Sequence, residues 1–98
     1  MSPAFPTTVV GMAWYRREHY QEIKRIMADS DALPDTYDKW FYQAERTERT
    51  LKRRGLSVER VYVDPQTFPA WCIAKGKEMN GEARSVYASE FVGAEYRD

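Results

Sequence analysis

Residues 33–55, LPDTYDKWFYQAERTERTLKRRG, constrain this chain more than any other stretch. Asp35 or Thr36 can cap a helix here, since either side chain can accept a bond from an amide of the first turn. Tyr37, Trp40, Phe41, Ala44, Thr47, Glu48 and Leu51 then recur at helical spacing, mostly apolar until the last turn. Lys52, Arg53 and Arg54 fall where the carbonyl end of a helix favours cations. Gly55 can take the left-handed conformation that stops it. The spacing predicts a helix over 37–54. Glu45–Arg49 and Glu48–Lys52 stand in the favourable i,i+4 order along it. A helix with one broad apolar face must bury that face, so the chain has to fold around it.

Other elements follow from similar signals. Residues 9–15, VVGMAWY, form a short apolar run that reads as a buried strand, with Gly11 marking a bulge or a close backbone approach. A helix over 17–28 presents Tyr20, Ile23, Ile26 and Met27, and the stretch before Pro34 ends it. Residues 56–63, LSVERVYV, read as a second strand. Asp64-Pro65 opens a helix to residue 75 with Phe68, Trp71 and Cys72 on one face, and Gly76 closes it. Asn80 caps a last helix over 81–94, with the stripe Ala83, Val86, Tyr87, Phe91 and Ala94. The expected fold is α+β in the order β-α-α-β-α-α: one domain over residues 1–98, with flexible ends at 1–6 and 95–98.

Two strands alone make a poor sheet. They can pair within one chain under the helices, or two chains can join them into a four-stranded sheet. The second arrangement hides an edge. It would also use a heavy aromatic load of three Trp, seven Tyr and four Phe in 98 residues. A homodimer is therefore expected.

Fifteen basic and fifteen acidic residues give a net charge of zero. That argues against strong nonspecific binding to nucleic acid, which rests on phosphate neutralisation, but it leaves room for a local basic patch. No apolar run approaches the ~20 residues of a membrane span, and the N-terminus has no basic leader followed by a long apolar segment. Cys72 is alone and cannot form an internal disulfide. These features point to a cytoplasmic, reducing setting without membrane partners.

Few residues offer chemistry. His19 is the single histidine and lies one position off the apolar stripe, with Glu18 and Glu22 as its near carboxylates. Cys72 falls on an apolar helix face two turns from the helix start, where a thiol is inert. Asp29, Asp31, Asp35 and Asp38 begin like a calcium loop, but Leu33 and Pro34 occupy positions that need a ligand and a glycine. GKEMNG at 76–81 lacks the spacing of a phosphate-binding loop. The last two helices resemble a helix-turn-helix in outline only, with more acid than base on the second. No catalytic residue, metal site or cofactor is therefore expected. Arg16 and Arg17, with Lys24 and Arg25, could meet Lys52, Arg53 and Arg54 if the first two helices pack antiparallel. Trp14, Tyr15 or Tyr42 beside such a patch could stack on a nucleotide or strand.

AWYRREHYQEIKRIM, then LPDTYDKW, then FPAWC before a glycine-stopped helix resembles a family of small bacterial proteins of unknown function. The resemblance implies a bacterial, cytoplasmic origin and no activity. The expected function is a non-enzymatic, self-associating binding or regulatory module. Its alternatives are a binder of nucleic acid, a nucleotide or another small anionic ligand through Arg16, Arg17, Tyr42, Lys52, Arg53 and Arg54, and a small enzyme centred on His19.

Overall fold

The two strands pair within one chain, and they run parallel. The structure, a computed structural model, describes residues 8–95, with side chains as far as Val92. Of the ends expected to be flexible, 1–6 and 95–98, residues 1–6 and 96–98 lie outside the described residues. Strand β1 (Val9–Trp14) lies beside β2 (Ser57–Tyr62) in continuous register, from Val9 opposite Ser57 to Trp14 opposite Tyr62. Parallel strands need a long crossover. Here it is a 3-10 turn (Arg17–His19), α1 (Tyr20–Ile26), a second turn (Ser30–Ala32) and α2 (Tyr37–Arg53). After β2 come α3 (Thr67–Lys75) and α4 (Gly81–Glu95). The order is the expected β-α-α-β-α-α with four helices.

Helix ends fall where their caps dictate. Of the two candidates before α2, Thr36 is the cap, its hydroxyl oxygen accepting from the Lys39 amide at 3.2 Å. Asp64 accepts from the Gln66 and Thr67 amides at 2.8 and 2.9 Å, so α3 starts two residues later than Pro65 suggests. Asn80 accepts from the Ala83 amide at 3.0 Å. Gly55 and Gly76 both have positive φ, at 89° and 67°, the conformation their sequence positions require. Helix α1 ends at Ile26, two residues early, and α4 extends to Glu95.

Side chains alternate across a strand, so the two faces of this sheet carry different residues. Val10, Met12 and Trp14 share one face with Val58, Arg60 and Tyr62, and α2 covers it. Trp14 meets Trp40 and Phe41 edge-on at 5.1 and 5.8 Å. Val9, Gly11 and Ala13 share the other face with Ser57, Glu59 and Val61, and α4 covers that one. Val61, Ala88 and Val92 form a small buried cluster there. Gly11 marks a close approach and not a bulge: a Cβ on it would stand 2.3 Å from the Ala88 carbonyl oxygen.

The larger core lies beyond the carboxyl ends of the strands. Trp14, Tyr15 and Val63 meet Tyr20 and Ile23 of α1, Trp40 and Ala44 of α2, Phe68 and Cys72 of α3, and Ala83 of α4. Full burial of a side chain such as Ile23 or Phe68 stabilises by about 1.5–3 kcal/mol. Ring pairs such as Tyr15–Trp40, at 4.7 Å, add about 0.5–1.5 kcal/mol each. Much of the aromatic surplus, expected at a dimer interface, is used here.

On α4 the expected stripe is displaced. Phe91 is 52% exposed, whereas Arg84, Ala88 and Val92 are buried. Arg84 is buried because Asp29, from the segment after α1, binds it through both oxygens at 2.9 and 3.1 Å. The same Asp29 also accepts from the Gly81 amide at 3.0 Å. One carboxylate thus ties the α1 loop to the start of α4. The two helical ion pairs expected on α2 are not among the ion pairs of the described residues: Glu48 turns inward instead and meets Arg60 of β2 at 2.8 Å.

Candidate functional site

In an open parallel sheet, ligands commonly bind outside the carboxyl ends of strands whose connections leave toward opposite faces. That condition holds here, since β1 leads to α2 and β2 leads to α4 on the other face. The crevice itself, however, is filled by the buried rings of Tyr15, Tyr20 and Phe68. What the sheet end offers to solvent is its rim on the α2 side.

Four residues make that rim. The Arg16 guanidinium lies 4.2 Å from the centre of the Tyr62 ring, and that of Arg17 lies 4.5 Å from the Tyr37 ring. An arginine held over a ring keeps its donors free at the edges of its plane. Arg16 makes no ion pair among the described residues. Arg17 pairs with Asp38 at 2.8 Å, but both side chains are largely exposed, at 67% and 78%. Such a pair is worth about 0–1 kcal/mol, so an incoming anion can displace Asp38 easily.

Next to this rim begins the outer face of α2. Trp40, Ala44 and Glu48 point inward. Residues a half-turn away at 3.6 residues per turn therefore face solvent, and these are Lys39, Tyr42, Arg46, Arg49 and Arg53. Tyr42, Arg46, Arg49 and Arg53 stand at i, i+4, i+7 and i+11, which is one straight line on a helix. Tyr42 is 61% exposed, with the Arg46 guanidinium 5.8 Å from its ring. Shallow depressions flank the line, one bounded by Pro34, Asp38, Lys39, Tyr42, Gln43 and Arg46, another by Gln43, Arg46, Thr47 and Thr50.

The charge balance of this face differs from that of the chain. Helix α2 contains three carboxylates, Asp38, Glu45 and Glu48. Two are already matched by cations from outside the helix, Asp38 by Arg17 and Glu48 by Arg60. Hydrogen bonds from Arg60 hold the Glu48 carboxyl below the usual carboxylate range, so it stays ionised and committed to that partner. Lys39, Arg46, Arg49, Lys52 and Arg53 of the helix, with Arg54 after it, are left with little local acid. A protein of zero net charge therefore carries a basic stripe about 21 Å long between Lys39 and Arg53, at 1.5 Å per residue.

The sequence-expected site residues thus do not form one patch. Arg16 and Arg17 lie at the N-terminal end of α2, whereas Lys52, Arg53 and Arg54 lie at its C-terminal end, beside the start of β2. The helix is antiparallel to both strands and separates the two groups by its own length. Tyr42 lies between them. Lys24 and Arg25 are elsewhere, Lys24 donating to the Ser30 carbonyl at 2.8 Å and Arg25 near Glu22. Lys39, Arg46, Arg49, Tyr37 and Tyr62 were not singled out as site residues by sequence. The first three could have been found by reading the outer face of α2 with the same spacing that gives its inner face.

The remaining candidates have structural surroundings. Cys72 is buried, and burial pushes its thiol up, away from the reactive thiolate. Burial likewise pushes the Tyr15 phenol up to about 12. His19 is half-buried in the first 3-10 turn, and hydrogen bonds from the Thr67 and Gln66 amides hold the nearby Asp64 carboxyl below the usual carboxylate range. Asp64 is itself engaged as the cap of α3. Among the described residues no group of three or more His, Cys, Asp or Glu side chains is gathered to hold a metal. No helix among them is long and apolar enough to cross a membrane. No family model matches the chain, and neither a curated protein nor a solved structure does.

Proposed function

We propose that the protein is a small non-enzymatic module that binds single-stranded nucleic acid along α2. The observation that carries this reading is the line of Tyr42, Arg46, Arg49 and Arg53 on the solvent face, with two of the three α2 carboxylates, Asp38 and Glu48, engaged elsewhere. Cations in a row along a shallow groove track a phosphate backbone, and an exposed ring among them stacks on a base. A duplex hides the faces of its bases, so an outward tyrosine favours an unpaired strand. Lys52 and Arg54 extend the stripe at one end, and Arg16 and Arg17 at the other. The buried free Cys72 suits a reducing, cytoplasmic setting.

The test is fluorescence anisotropy with a labelled ten-nucleotide polypyrimidine strand. With about four phosphates neutralised, the logarithm of the association constant should fall against the logarithm of salt with a slope near −3. Arg46→Glu with Arg49→Glu should abolish binding, and Tyr42→Ala should weaken it about tenfold or more. Absence of binding at about 20 mM salt, where phosphate contacts are strongest, would end this reading.

Self-association is a second reading, favoured by Ile73 and Phe91, which are 82% and 52% exposed on α3 and α4. Light scattering after size exclusion decides it. A mass near 11.5 kDa at high protein concentration removes the homodimer.

A further inference from the structure

We infer that the rim formed by Arg16, Arg17, Tyr37 and Tyr62 recognises the terminal phosphate of the bound strand, so that the module distinguishes phosphorylated ends from hydroxyl ends. This rests on the reading of α2 as the strand-binding track. The stripe holds single cations spaced along a helix, each suited to the one negative charge of an internal phosphodiester. The rim is different. Two arginines adjacent in sequence follow β1, Arg17 held against Tyr37 and Asp38 at the N-terminal end of α2, where the stripe stops, and Arg16 over Tyr62 at the end of β2.

A terminal phosphomonoester carries close to two charges at neutral pH, because its second pKa is near 6, and it has three acceptor oxygens. It therefore needs two cations with several donors, which two guanidinium forks supply. The rings beneath them fix both guanidiniums against the protein surface, at 4.2 and 4.5 Å, so less freedom is lost when the phosphate arrives. Tyr62 is itself 41% exposed and offers a ring edge to the terminal sugar or base. Asp38 is the carboxylate that the phosphate displaces from Arg17, and Asp38 also borders the groove that holds Tyr42 and Arg46. The rim and the track are thus continuous through one side chain.

The experiment compares one ten-nucleotide strand in three forms, with a 5′-phosphate, with a 3′-phosphate and with both ends hydroxyl. Binding is measured by anisotropy at fixed salt, with and without inorganic phosphate as competitor. A preference of about tenfold for one phosphorylated end is expected, the size of one additional charge-assisted hydrogen bond. Arg16→Gln with Arg17→Gln should remove that preference, so that the variant binds all three strands equally whatever its overall affinity. Arg16→Lys with Arg17→Lys should restore only part of it, because an ammonium keeps the charge but not the fork, and circular dichroism should show both variants folded. Equal binding of all three strands by the native protein overturns the inference and leaves the track standing. So does inorganic phosphate competing equally with every form, because the rim would then hold an anion unrelated to a strand end. Failure of every strand to bind overturns the track and this inference together.

Discussion

The two faces of the sheet are covered in opposite ways. On the α2 side, bulky rings and an ion pair fill the gap between helix and strands. Trp40 and Phe41 reach Trp14, and Glu48 reaches Arg60, whose guanidinium also lies 3.9 Å from the centre of the Trp14 ring. On the α4 side there is no gap to fill, because Gly11, Ala88 and Val92 let backbone approach backbone. A face spaced by long side chains tolerates adjustment, since rings and guanidiniums can rotate. A face closed on glycine cannot adjust without moving the helix. The spaced face also keeps charge near solvent, and the proposed binding surface lies on the helix that covers it.

Substitution at Gly11 should break this contrast most strongly. A Cβ there would lie 2.8 Å from the Ala88 carbonyl carbon and from a Val92 methyl, as well as 2.3 Å from the Ala88 oxygen. Gly11→Val should cost at least about 3 kcal/mol in urea unfolding, and Gly11→Ala somewhat less. A loss below about 1 kcal/mol for Gly11→Val, less than overpacking normally costs, would show that α4 can slide.

Removing the ionic staple of α4 comes next. Arg84→Ala leaves Asp29 without its bidentate partner in a half-buried place and should cost about 2–3 kcal/mol. Glu48→Gln on the α2 side should cost less, about 1 kcal/mol, because Arg60 reaches solvent and can be rehydrated. Equal losses would mean that the two faces are not as different as their spacing suggests.

Acid sharpens the comparison further. Hydrogen bonds from Arg84 hold the Asp29 carboxyl below the usual range, as those from Arg60 do for Glu48. A carboxyl depressed in the folded state contributes stability above its unfolded pKa, about 3.9–4.3. That contribution is lost as pH falls through the folded value. The urea midpoint should therefore be flat near neutrality and fall below about pH 4. Asp29→Asn and Glu48→Gln should each make that fall shallower. The smallest effect on stability belongs to the stripe: Arg49→Glu should change unfolding by less than about 0.5 kcal/mol while sharply weakening strand binding.

Much of this was legible in the chain because it is local. Caps, glycine stops and the apolar face of α2 involve residues within a few turns of each other, and Thr36, Asp64, Asn80, Gly55 and Gly76 act where their spacing places them. The close approach at Gly11 was legible as a type of event, but not its partner. On α4 the spacing favoured Phe91 as a buried residue, because periodicity counts apolar side chains and cannot know that Asp29 would draw Arg84 inward. On α2 it paired Glu48 with Lys52 for the same reason: Arg60 is a neighbour only after β2 has folded back.

The site followed the same division. Arg16, Arg17, Tyr42, Lys52, Arg53 and Arg54 were visible as cations and a ring on or near helices, but whether they met was a matter of packing. By itself the sequence determined the four helices, the two strands and most of their limits, since these depend on dihedral preferences and neighbours a few residues apart. Only the tertiary structure decided that the strands run parallel, that each face receives its own helix, and that α2 separates the two basic groups by its full length. Those outcomes depend on which distant side chains fill the same space, and that is settled when the elements pack.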